Sequence, residues 1–105
     1  MTIYKFSGQL YDLIIRAENG APIDIDFIMQ NLTYESTFAM TRYVDFALGL
    51  VTNKDGVARI EHYLFNGSQI QRNYASLFFN RRGAWEIVKK ALHQGLIDET
   101  QAFAR

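Results

Sequence analysis

Few side chains in this 105-residue chain could carry chemistry, and cysteine is absent. His62 and His93 are the natural starting points, because imidazole binds metals and moves protons near neutral pH. Each use needs a second group: another ligand for zinc, or an orienting partner for a base. Neither histidine has another histidine four residues on, and "IEHY" around His62 departs from the helical zinc-protease motif. No phosphate-cradling glycine loop, dinucleotide fingerprint or nucleophile elbow occurs in the sequence. Both histidines read as surface or boundary residues, and no cofactor or metal is expected. The carboxylates point the same way. Asp24 and Asp26 stand two apart where a helix should begin, and negative charge there suits the exposed amides. Arg42 and Asp45 are spaced for an intrahelical ion pair.

What remains is a cationic set. Arg59, Arg72, Arg81, Arg82, Lys89 and Lys90 place six positive charges between positions 58 and 93 against Glu61 and Glu86, an excess of four. With His62 and His93 they form the candidate partner-binding residues. Residues 1–52 hold three basic side chains against six acidic ones, and residues 53–105 hold eight against five, so the halves carry −3 and +3. That division suits a basic face presented to an acidic partner. Arg81 and Arg82 also fall at an expected helix C-terminus, where cations complement the dipole. Dedicated nucleic-acid binders are commonly strongly basic. A sequence pI near 6.7 therefore ranks a nucleic-acid face on residues 59–90 behind a protein partner.

These residues must be positioned by helices. Hydrophobic content of 49% with one proline suits a single globular domain over 1–105, large enough for one core. Apolar residues recur at spacings of three and four, with no sustained alternation of period two. The first helix is expected over 6–18, with Leu10, Leu13, Ile14 and Ala17 inward. Pro22 and Asp24 open a second through Asn31. A third is expected over 33–52, its apolar residues, among them Phe46, Tyr43, Val44, Ala47 and Leu48, filling an arc of roughly 200°. Such a stripe demands cover on more than one side, so this helix is placed centrally.

A fourth helix over 56–66 turns Val57, Ile60, Tyr63 and Leu64 inward. The fifth opens at Ser68 with a capping box closed by Gln71 and stops at Gly83. Ile70, Tyr74, Ala75, Leu77, Phe78 and Phe79 form its core face, leaving Arg72, Ser76 and Asn80 on the polar side. The sixth, "AWEIVKKALHQG", faces Trp85, Ile87, Val88, Ala91 and Leu92 inward and Glu86, Lys89, Lys90 and His93 outward. Asp98 caps a last short helix through Phe103. Asn19-Gly20 and Asn66-Gly67 read as left-handed helix stops.

"SQIQRNYASLFF" resembles the second helix of HEAT-type repeats, and "GAWEIVKKALHQGLIDETQAFA" is similar to a following helical pair. The likeness covers residues 55–104. It implies antiparallel helix pairs stacked as a short right-handed superhelix, with Arg72 in a structural role between neighbouring pairs. Stacks of this kind present a groove or flat face to a protein or peptide. The expectation is thus an all-α fold of about seven helices serving as a non-enzymatic protein–protein interaction or regulatory module, with self-association as a further use of its ends. No apolar run reaches the roughly 18 residues of a membrane span, and the N-terminal stretch lacks a signal peptide's pattern. A cytoplasmic protein without membrane contact is expected.

Overall fold

Local hydrogen bonding decides where each helix begins. Ser68 accepts from the Gln71 amide while Gln71 returns a bond to the Ser68 amide, and Asp98 accepts from Gln101 N–H at 2.8 Å. Pro22 needs no amide partner at the first position of a helix. In the computed structural model, which describes residues 8–105, these signals yield α1 (Gly8–Asn19), α2 (Pro22–Met29), α3 (Phe38–Leu48), α4 (Lys54–Asn66), α5 (Gln69–Arg81), α6 (Trp85–His93) and α7 (Glu99–Phe103). The fold is all-α, as expected, with no strand among the described residues. The first two positions of the predicted 6–18 helix lie outside them. No described helix is long and apolar enough to cross a membrane.

The third helix is much shorter than its periodicity predicts. Thr33 to Ser36 forms a turn instead: the Thr33 amide donates to Ser36 Oγ at 2.8 Å, and that hydroxyl donates to the Asn31 carbonyl at 2.6 Å. Serine and threonine that bond neighbouring backbone compete with the helical ladder. The helix starts at Phe38, capped by Thr37, which accepts from Met40 N–H at 3.1 Å. Beyond Leu48, the amides of Leu50 and Val51 bond the third carbonyl back, tightening the chain out of the α-helix. Val44, Ala47 and Leu48 are buried, whereas Phe46 is half-exposed. The inward stripe is therefore narrower than projected.

The chain forms two units, one ending at Arg59 and one beginning at Ile60, with α4 running across the division. In the first, α1, α2 and α3 each pack on the other two around Leu13, Ile25, Ile28, Met29 and Val44. Arg16 ties α1 to α2, its guanidinium 3.2 Å from Asp24 and 4.1 Å from the centre of the Phe27 ring. Asn53 donates to the Gly20 carbonyl at 2.8 Å. Gly20 takes φ of +71°, and a Cβ there would collide with the Asn53 side chain. Gly67 corrects the parallel reading: it is not left-handed, and its missing side chain makes room for the Tyr63 carbonyl and Gln71. In the second unit α5, α6 and α7 each pack on the other two over Ala75, Phe78, Phe79, Val88 and Ala91.

Two stability predictions follow from the first unit. Gly20→Ala combines a strained φ with overpacking, so it should cost about 2 to 4 kcal/mol in urea unfolding. Asp24 is buried, and its carboxyl is held below its ordinary value by the Asn19 amide first, then by Ala21 N–H and Arg16, against the opposing effect of burial. A carboxylate whose folded pKa is depressed adds stability above its unfolded value and loses it as pH falls through the folded one. Asp24→Asn should lower neutral-pH stability by about 1 to 3 kcal/mol and flatten the fall in melting temperature below pH 4.

Candidate functional site

The eight candidate partner-binding residues fall in both units, Arg59 in the first and the other seven in the second. Arg59 belongs to the first unit and is forked onto Asp26, with Nε at 2.8 Å from Oδ1 and Nη2 at 3.2 Å from Oδ2. Asp26, expected to serve the start of α2, is thus half of a bidentate ion pair. Arg72 is occupied on three sides: Nε donates to the Leu96 carbonyl at 2.7 Å, Nη1 to the Gly67 carbonyl at 2.8 Å and Nη2 to Gln69 Oε1 at 2.9 Å. It joins the start of α5 to the link between α6 and α7. Arg82 lies over the Phe78 ring at 4.0 Å, and partial burial lowers its pKa from the ordinary arginine value. Arg81 is exposed in the last turn of α5.

His62 meets the Tyr63 ring edge-on at 5.6 Å, with Asn66 beside its Nδ1 at 3.4 Å. Lys89, Lys90 and His93 do come together, on α6, where they line an open groove of about 660 Å3 with Glu61 and Glu86. Its charge is mixed. Lys89 stands 3.5 Å from Glu86 with both side chains exposed, and such pairs contribute little. Lys90 reaches over the Phe65 ring at 5.7 Å. Among the described residues no three histidine, aspartate or glutamate side chains are grouped to hold a metal.

The better-formed depression of the second unit was not foreseen. It is a groove of about 420 Å3 with walls from Trp85, Val88 and Leu92 of α6 and from Ala102 and Phe103 of α7. Asn80, Lys89 and Arg105 complete it. Trp85 was expected to face inward, yet it is 58% exposed, and Phe103 is 70% exposed. Trp85 is the first residue of α6, and side chains on a helix lean towards its N-terminus. At that position no preceding turn of α6 exists to cover the indole. Arg105 stands over the indole at 5.7 Å.

Asn80 sets the position of one wall. Expected on the polar side of α5, it is only 3% exposed. Its Nδ2 donates to the carbonyls of Gln101, Ala102 and Ala104 at 3.3, 2.9 and 2.9 Å. Ser76 Oγ adds a bond to the Gln101 carbonyl at 3.1 Å. Three carbonyls around one end of the amide identify that end as nitrogen. The Oδ1 at the other end is closed to solvent and accepts no hydrogen bond. The available sequence signal was an asparagine and a serine four apart on one side of α5; helical projection assigns such a pair to solvent.

Compared with protein-family models, curated proteins and solved structures, the chain matches none. What the fold and the groove define is an all-α chain, with seven helices among its described residues and an apolar cleft edged by aromatic and cationic side chains. Asn80→Ala tests how that cleft is held. It should cost about 1 to 3 kcal/mol and accelerate hydrogen exchange and proteolysis at residues 99–105 more than at α1.

Proposed function

We propose that this chain is a non-enzymatic protein–protein interaction module whose partner docks in the groove of α6 and α7. One observation carries the reading. Trp85 and Phe103, the kinds of side chain that dominate interface energetics, stand exposed on either side of an apolar cleft. Asn80 and Ser76 brace the α7 wall from behind, and a preorganised wall lowers the entropy lost on binding. The non-enzymatic part rests on the sequence, where no nucleophile, base and orienting group share a motif.

The nucleic-acid alternative on residues 59–90 has weaker support. Glu61 and Glu86 share the groove of Lys89, Lys90 and His93, while the guanidiniums of Arg59 and Arg72 are engaged by protein acceptors. A phosphate backbone requires several cations free to neutralise it.

A random-peptide display selection against the immobilised chain should converge on sequences with a bulky apolar anchor. Their affinity should fall at least about tenfold in Trp85→Ala or Phe103→Ala, the loss expected for an interface hot spot, with melting temperature little changed because both side chains are exposed. Failure to converge, or equal binding by both variants, rules the groove out.

A further inference from the structure

We propose that the groove takes an acidic peptide segment, one that carries an aromatic or leucine anchor beside carboxylates. This rests on the interaction-module reading and specifies the chemistry of its partner.

Two features of the second unit select that occupant. The walls are apolar, from Trp85, Val88, Leu92 and Phe103, and the space of about 420 Å3 is of the size that buries one large side chain with its neighbours. Both charged residues at the groove are cations, Lys89 and Arg105. Arg105 Nη1 bonds the Phe103 and Ala104 carbonyls at 3.2 and 3.4 Å, which holds the guanidinium near the indole and leaves further N–H donors for a carboxylate. Lys89 has only an exposed ion pair with Glu86, readily exchanged for an incoming carboxylate. Residues 60–105 hold six lysines and arginines against four acidic residues, so the wider field favours an anion as well.

Trp85 is the chain's single tryptophan, so its fluorescence reports on the groove of the full-length protein. The probes are three blocked ten-residue peptides without tryptophan or tyrosine. Each carries two leucines and a phenylalanine, flanked by four glutamates, four glutamines or four lysines. The glutamate peptide should shift Trp85 emission saturably, at least tenfold more tightly than the other two, and weaken as salt is raised. Arg105→Ala and Lys89→Ala should each reduce its affinity about three- to tenfold and by a larger factor than that of the glutamine peptide; an equal loss for both peptides overturns the acidic preference. Equal binding of all three peptides overturns the acidic preference while the groove itself stands. Binding of display-selected peptides that lack acidic residues, with none of the three binding, overturns it in the same way. If neither kind binds, the interaction-module reading falls too. Sedimentation provides the remaining arm: concentration-dependent dimerisation abolished by Trp85→Ala makes a second copy of the chain the occupant and overturns the acidic-peptide proposal.

Discussion

The amide of Asn80 governs the second unit, because it decides where the last helix can lie. Five residues, Glu99–Phe103, form α7, far too few for a helix that stands on its own backbone bonds. Its carbonyls at the C-terminal end would be left without intrahelical partners. Asn80 Nδ2 and Ser76 Oγ, both projecting from α5, donate to those carbonyls, while Asp98 caps the opposite end. Side chains thus do at each end what additional turns would do in a longer helix. With α7 fixed, Ala102 is buried and Phe103 is left outward, and the cleft against α6 is defined.

A comparable device organises the first unit. The turn from α1 to α2 is held by Asp24, which gathers Arg16, Asn19 and the Ala21 amide, and by Asn53, which reaches the Gly20 carbonyl. The start of α4 sits close against that turn: a Cβ on Gly56 would lie 2.9 Å from the Gly20 carbonyl oxygen and 2.7 Å from Val51. Two glycines thereby let backbone approach backbone. Arg59 closes the set by forking onto Asp26 from 33 residues away. The cations that dominate the sequence between 58 and 93 are thus partly spent on the protein's own carbonyls and carboxylates.

What could be read from the sequence was whatever depends on neighbours a few residues apart. The capping box of Ser68 and Gln71 and the cap of Asp98 are local, and both occur where expected. The all-α class follows from periodicity over whole helices, and it is what the structure contains. Boundaries failed where a local alternative competed, as at Thr33 and Ser36, whose hydroxyls close a turn inside a helical pattern. Pairings over long separations were out of reach. Nothing in the spacing of Asp26 and Arg59 announces an ion pair, and Ser76 and Asn80 looked like solvent-facing residues because projection cannot show that carbonyls at 101–104 await them.

The groove escaped detection for a related reason. Helical periodicity reports on faces, whereas Trp85 opens α6 and Phe103 closes α7. A side chain in the middle of a helix is flanked by turns above and below, so its direction on the projection fixes its burial once that face is packed. A side chain at an end lacks one of those turns. Trp85 projects within about 20° of Leu92 and about 60° of Val88, of which Leu92 is half-buried and Val88 buried, yet it leans towards the helix start, where no further turn of α6 exists. Burial at an end depends on what another segment places there. Here that segment is the stretch held by Asn80, and it brings Phe103 and Arg105 to the cleft instead of a cover. An unremarkable pair of short helices therefore acquires an apolar slot with cations at its edge, a combination whose chemistry is complementary to a hydrophobic anchor among carboxylates.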